Sequence, residues 1–436
     1  MFRLFASHPA ARLLLALPLL AAVASCGNDS GAIITVPNSV VVADLRGDGV
    51  LDVAVASAQI DETGLTQKPG LLGIILNNPS TPGDFGGLTS YIASGAPPSG
   101  LAVGDLSGTG THDMVVANLN AATVAVFMET SATSGTYSAA KTITLATGSQ
   151  PNDVQIADIN GDGLPDLIIA DNTGVVTYLL QNPASPGNFL PGVSLPITNP
   201  AITAEGLPTR AISVAVGDLN GDGLPDLAVT SFDAYGDDGE VTIYFQDPTQ
   251  AGTFLTTPTV ISAPGEPSQI RVADVNQDGS KDIVVALQGL GANSANTNAD
   301  GSASPEANEG AMVILQNTGS GAGTFAAGVV YPATAGVISL DIGDLNADGL
   351  PDIAMCSIYP EGSGSIIVLT QDPTAPGTFL AGPDYAGLGQ PVSIVIGDMD
   401  NDGLPDLVTA DATSAAWLKN QASAPGTFIS QGQIGY

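Results

Sequence analysis

The sequence predicts an all-β fold, a seven-bladed β-propeller of four-stranded antiparallel blades. Three observations predict it. A nonapeptide of the form D-x-N-x-D-G-x-x-D returns seven times, a Pro-Gly-x-Phe-like marker returns seven times in phase with it, and 436 residues include 53 Gly and 31 Pro. Repeats at a fixed period set the architecture before any single element does.

The nonapeptide reads DLRGDGVLD from Asp44, DLSGTGTHD from Asp105, DINGDGLPD from Asp158, DLNGDGLPD from Asp218, DVNQDGSKD from Asp274, DLNADGLPD from Asp344 and DMDNDGLPD from Asp398. The second marker ends at Phe85, Tyr137, Phe189, Phe254, Phe325, Phe379 and Phe428. Within one period the apolar pattern shows four short strands and no helix. In the third unit, residues 154–157 alternate into the Asp loop, 167–170 leave it, Gly174 turns the chain into 175–180, and Phe189 opens a fourth strand. Sheets of this kind repeated seven times bury both faces against their neighbours in a propeller, whereas a solenoid needs capped ends. The last unit has its own fourth strand near 428–434, and residues 32–36 read as an outer strand placed to pair beside it and seal the ring, since an open edge is a liability.

The first 26 residues carry Arg3 and Arg12, an apolar run over 13–22 and then Val23-Ala24-Ser25-Cys26, the layout of a secretory signal. The tetrapeptide resembles a bacterial lipobox, whose Cys becomes the lipidated first residue of the mature protein. That resemblance implies a lipoprotein signal peptide over 1–25, lipidation of Cys26 with a short tether over 26–38, and the propeller over 39–436. The alternative is an ordinary signal cut near Ala24 or Ser25, leaving Cys26 as an exposed thiol. No later segment approaches the roughly 18 apolar residues of a membrane span. Membrane attachment therefore rests on the lipid, and the expected location is the bacterial cell envelope. Cys356 lies in an apolar run and reads as a buried thiol, so no intramolecular disulfide framework is expected.

Against 43 Asp plus Glu stand 9 Lys plus Arg and 2 His, a formal net charge of −34. That balance excludes a nucleic-acid phosphate binder and leaves little room for histidine chemistry. The acids are 35 Asp and 8 Glu, and 21 of the Asp lie inside the nonapeptides. The acidity is therefore concentrated in loops, and with 44% hydrophobic residues the chain holds a large folded core.

Nonapeptide positions 1, 3, 5 and 9 offer side-chain oxygens and position 7 a backbone carbonyl, which suits a hard cation wanting about 6 to 8 oxygen ligands. Gly at position 6 permits the sharp wrap. Calcium is favoured over magnesium, which keeps its waters, and zinc or copper would call for His or Cys. An EF-hand needs Glu at position 12 and flanking helices, but position 12 is Ile169, Val229 or Thr409 in three copies and the flanks are strands. The pattern resembles the FG-GAP or VCBS repeat family, including the calcium loops of integrin α-subunit propellers, over essentially all of residues 39–436. The resemblance implies calcium loops between the first two strands of each blade.

Five copies hold every ligand position, giving five expected calcium sites. They are Asp158, Asn160, Asp162, Asp166 with the Leu164 carbonyl; Asp218, Asn220, Asp222, Asp226 with Leu224; Asp274, Asn276, Asp278, Asp282 with Ser280; Asp344, Asn346, Asp348, Asp352 with Leu350; and Asp398, Asp400, Asp402, Asp406 with Leu404. The first copy has Arg46 at position 3, so Asp44, Asp48 and Asp52 make a weaker site. The second keeps only Asp105 and Asp113 beside Ser107, Thr109 and a solvent-facing His112, and reads as a hydrogen-bonded turn.

Longer second-to-third connections in units one, four, five and six predict a lopsided opposite face, where binding loops usually sit. Asp233, Asp237, Asp238 and Glu240 are its candidate ligand residues, and Asn296, Asn298, Asp300 and Glu306 a fainter metal-like set. A non-catalytic surface or periplasm-facing module engaging a protein or glycan is the leading functional expectation. A lectin-like propeller comes second, set back because Trp417, the single Trp, falls in a core strand. A polysaccharide-active enzyme comes third, since one loop histidine cannot build a triad and most phased Asp are spent on metal.

Overall fold

The computed structural model describes residues 33–61, 67–93, 97–197, 209–232, 239–263, 265–289, 310–319, 321, 323–359, 362–386, 389–411 and 414–434. Among them are 28 strands in seven four-stranded sheets, each sheet made of four consecutive antiparallel strands, and no helix. The blades run over 33–92, 98–144, 151–196, 210–262, 267–332, 336–386 and 391–434.

The first strands line the axis, each packing against the first strands of both neighbouring blades, with Pro391–Gly397 of blade 7 against Ile33–Ala43 of blade 1. Second strands such as Asp166–Asp171 are buried throughout, while the outermost strands of blades 1 to 5 have four residues each and those of blades 1 to 3, such as Val193–Pro196, are mostly exposed. Short outer strands blunt the edges that would otherwise recruit another chain. The core is seven separate clusters, each shared by two adjacent blades. Ile168 and Ala170 of blade 3 meet Val214, Val229 and Tyr244 of blade 4, and Val53 and Val55 of blade 1 meet Val408 and Trp417 of blade 7.

Every blade carries a bulge where its first strand pairs with its second. Residues at and just beyond the bulges, among them Ser99, Asp153, Ser213, Ser268, Ser339 and Ser393, line a polar axial cavity of about 40 Å³. Several bond across to the next blade: Ser99 Oγ donates to Pro151 O at 2.7 Å, Ser268 Oγ donates to Val337 O at 2.7 Å, and Ser393 Oγ accepts from Val40 N at 3.3 Å.

Three sequence expectations are corrected. Residues 33–36 are no outer closing strand: they begin the first strand of blade 1 and pair with Ala58–Asp61 of the same blade, so the propeller starts before residue 39. The ring closes by packing of whole blades, and among the described residues no sheet is shared between the two ends. In blades 1 to 5 the marker aromatic does not open the fourth strand but makes a single bridge, as in Gln181 with Phe189. Its ring is instead committed to the preceding blade, as when Phe254 packs edge-on against Tyr178 at 5.3 Å and Tyr137 against Tyr91 at 5.7 Å.

Loop lengths also differ from the sequence expectation. The first-to-second connection has eight residues in every blade, from 44–51 to 398–405. The second-to-third connections vary: 62–66, 119–122, 172–174, 233–239, 288–310, 359–363 and 412–414. Strands in blades 1 and 6 extend further than their sequence suggests, so only blades 4 and 5 carry enlarged loops on that face. Because strand direction alternates, the Asp loops and the aromatic markers share one face and the variable connections lie on the other.

Candidate metal centres in the Asp loops

All seven Asp loops have one backbone path. Position 4 is left-handed throughout, including the non-glycines Gln277, Ala347 and Asn401 at φ 57°, 61° and 57°, and the position-6 glycine is left-handed in every copy. Two left-handed residues spaced by one wind the chain around its own first carboxylate. The position-1 Asp accepts the N–H groups of positions 5 and 6: Asp158 Oδ2 from Gly163 at 2.8 Å, Asp218 Oδ2 from Gly223 at 2.8 Å, Asp274 from Gly279 at 2.9 Å, and Asp344 and Asp398 likewise. In blades 3 to 6 the position-3 amide lies beside position 5, with Asn160 Nδ2 donating to Asp162 Oδ2 at 3.2 Å.

Position 9 is the buried floor of each loop. Asp52, Asp113, Asp166, Asp226, Asp282, Asp352 and Asp406 are all fully inaccessible. In Asp166, Oδ1 accepts from Gln181 N at 2.6 Å and Oδ2 from Ile159 N at 3.1 Å. Burial nevertheless pushes its carboxyl up to about 6, against those two bonds and with Asp162 and Asp158 raising it further. Asp226, Asp282 and Asp406 are also pushed up to about 6 by burial, and Asp52, Asp113 and Asp352 are raised.

The residue that donates its backbone N–H to position 9 was not singled out by sequence reasoning. It is Asn77, Glu129, Gln181, Gln246, Asn317, Gln371 and Asn420 in turn. In five blades its amide also clamps the neighbour: Asn77 donates to Met399 O, Gln246 to Ile159 O, Asn317 to Leu219 O, Gln371 to Val275 O and Asn420 to Leu345 O, at 2.6 to 2.9 Å. The signal was present, because an Asn, Gln or Glu stands eight residues before the aromatic of every marker.

The copies differ as their residues dictate. In the first, the Arg46 guanidinium lies 3.0 Å from Asp52 Oδ1 and 3.2 Å from Asp48 Oδ2 and donates to Asn77 O. The second is a hydrogen-bonded web of hydroxyls around its two remaining carboxylates, in which Ser107 Oγ bonds Asp105 at 3.1 Å and Thr111 at 2.8 Å. His112 is half-buried there, not solvent-facing, with its backbone held by Glu129 and the Tyr137 hydroxyl. In the seventh, carboxylate oxygens of Asp398, Asp400 and Asp406 lie within 4.8 Å of one another. Lys419, from the third strand, contacts Asp400 and lies 3.0 Å from Asp402.

The donor set of blades 3 to 6 fits a hard divalent cation. It is all oxygen, three carboxylates and an amide in one wound loop, and among the described residues no Lys or Arg pairs with these carboxylates. Asp233, Asp237 and Asp238, the 296–306 set and Cys26 lie outside the described residues, while Glu240 opens the third strand of blade 4 opposite Ser231 and Ser262. Cys356 and Trp417 are buried as expected, the Trp ring edge-on to Phe85 at 5.6 Å.

The FG-GAP-like repeat pattern matches residues 105–169, 158–229, 218–285 and 302–355, more than half of the chain, each span running from one Asp loop to the next or ending on one. The chain belongs to the FG-GAP-like repeat family. A solved structure described as a putative 6-phosphogluconolactonase from Bacteroides uniformis is similar over 92% of this FG-GAP chain and 96% of that one, with a TM-score of 0.55 and 12% identity. At that identity the likeness concerns the fold alone. No curated protein sequence matches.

Proposed function

We propose that this FG-GAP propeller is a calcium-stiffened, non-catalytic binding module, anchored to the cell envelope through a lipid on Cys26, that meets a protein or glycan partner through its variable face. The observation that carries the reading is the contrast between the faces. Eight-residue loops recur unchanged on one, while connections of 3 to 23 residues sit on the other, enlarged in blades 4 and 5. Conserved geometry on one face suits a structural ion, and variable loops on a rigid frame suit recognition.

Calcium would bind through the carboxylates and amide of each complete loop and neutralise the acids crowded there. Residues Asp158, Asn160, Asp162 and Asp166 typify the set. The position-9 carboxylate would then tie the ion to the blade floor, because the same group already accepts N–H bonds from the loop itself and from the end of the third strand. A multivalent lectin is disfavoured, because the single Trp is packed at the junction of blades 7 and 1 and offers no sugar platform. An enzyme is disfavoured by the single described histidine, half-buried in blade 2.

The test is binding to a glycan array and to a panel of extracellular proteins, with calcium and with chelator. Variants delete 291–309 or convert Asp237 and Asp238 to Asn. Binding lost in these variants while the fold persists supports the reading. Binding that survives both variants, or turnover of a bound glycan, refutes it.

A further inference from the structure

This inference rests on the calcium reading of the Asp loops. We propose that the loops of blades 7 and 1, which meet where the first and last blades close the ring, are neutralised by their own tethered cations, Lys419 and Arg46. They then take up no divalent ion, calcium is confined to the loops of blades 3 to 6, and the closing seam holds without it.

Arg46 occupies position 3, where blades 3 to 6 offer an amide oxygen, so the first loop loses a ligand and gains a cation at one stroke. Its guanidinium reaches position 5 through Asp48 at 3.2 Å and position 9 through Asp52 at 3.0 Å, spanning the space an ion would fill. Lys419 reaches the seventh loop from the third strand. The equivalent residues, each just before the clamping amide or acid, are Leu76, Met128, Leu180, Phe245, Gln316 and Thr370, none of them charged. The ammonium engages positions 3 and 5, Asp400 and Asp402. The extra acid of this loop, Asp400 in place of Asn, and the extra base occur together. A free ion must displace a competitor held covalently nearby, at an effective concentration of roughly millimolar or more.

The placement is selective. Beyond residue 26 the chain has seven basic residues. Among the described residues, four of the five close ion pairs lie in the two loops beside the seam, the fifth joining Arg271 to Asp341. The two loops also touch: Asn401 Nδ2 donates to Gly49 O at 2.9 Å, and Asn77 Nδ2 to Met399 O at 2.6 Å. Among the described residues no sheet is shared across this junction, which is joined by side-chain bonds and packing. A tethered cation is neither diluted nor chelated, and it stands where loss of an ion would open the ring.

The deciding measurement is calcium stoichiometry of the full chain by equilibrium dialysis with radioactive calcium. The expected result is four ions for the wild type, and five each for Lys419→Met and for Arg46→Asn, which restores the position-3 oxygen. Five or more ions in the wild type, or four in both variants, overturns the partition and leaves the calcium reading standing. No calcium in any form refutes that reading and this inference with it. Trp417 supplies a second readout, since it is the only Trp and sits in the seam. Its emission is expected to stay at a buried wavelength after chelation, and a shift toward the solvent-exposed wavelength overturns the claim that the seam holds. Should Lys419→Met fail to fold, Arg46→Asn and the wild-type count decide the matter.

Discussion

Replacing Gln246 with Met removes an inter-blade clamp while keeping its volume. The amide is 1% exposed, donates to Ile159 O of blade 3 and Pro225 O of blade 4 at 2.8 Å each, and accepts from Gly252 N at 3.1 Å. The variant leaves two carbonyls and one N–H without partners. At about 1–3 kcal/mol for each orphaned buried group, and allowing for partial relaxation, the loss is about 3–6 kcal/mol. Over the roughly 350 described residues at about 2.1 cal/mol/K each, that lowers Tm by about 4–8 °C. Gln181→Met is the internal control. Gln181 donates to Pro165 O of its own blade and accepts from Gly187 N, with no bond to blade 2, so its loss should be smaller by about 1 kcal/mol or more. Guanidinium unfolding of both variants at fixed calcium measures the difference. A Gln246→Met loss under about 1 kcal/mol, or equal to that of Gln181→Met, would refute the clamp.

Three further outcomes follow from the same geometry. Asp166, Asp226, Asp282 and Asp406 are raised from an ordinary value of 3.8 to about 6, so the folded, metal-free protein binds protons that the unfolded chain has already released. Its stability is then greatest below pH 4 to 5 as far as these groups are concerned and is lost as pH rises through 6. Melting in chelator at pH 5 should exceed that at pH 7, and calcium should reverse the order; a chelated protein with its higher Tm at pH 7 contradicts this. Ala347→Gly relieves a left-handed alanine at φ 61° and should stabilise by about 0.5–1 kcal/mol in urea unfolding, with destabilisation as the contrary result. Trp417→Ala empties the seam cluster, where the ring contacts Phe85, and should cost about 3–5 kcal/mol by the same assay. A cost below about 1 kcal/mol would mean that the seam is not packed as described.

The repeat was legible because each unit needs the same two devices. The nonapeptide must wind through two left-handed residues onto a buried carboxylate, and the marker aromatic must reach the previous blade, so both leave a fixed signature in every period. The clamping amide has equally strict spacing, but its type drifts among Asn, Gln and Glu, and a polar residue at the end of an apolar strand reads as an ordinary strand end. Glu129 shows what the drift means: with no side-chain N–H to donate, it accepts from the His112 backbone and leaves the junction of blades 1 and 2 without an amide clamp. Ring closure was not legible because Ile33 to Val36 continue the first strand across a bulge at Asn38, and nothing local in the sequence distinguishes a long inner strand from a separate outer one. Lys419 was hidden for another reason. It meets Asp400 only because the third strand returns beside the loop, a juxtaposition made by pairing and absent from the linear pattern.

The claim at the centre of this account is that the Asp loops are cation cages holding the FG-GAP ring rigid. Binding an ion to the folded form at about 100 times its Kd stabilises by about 2.7 kcal/mol per site. Four such sites, spread over the roughly 350 described residues, correspond to a Tm rise of about 10 °C or more. Differential scanning calorimetry of the chain in chelator, then with calcium restored, measures this directly. A melt lowered by about that amount in chelator and recovered with calcium, but not with an equal concentration of magnesium, is the expected result. An identical melt in chelator and in calcium would contradict the account.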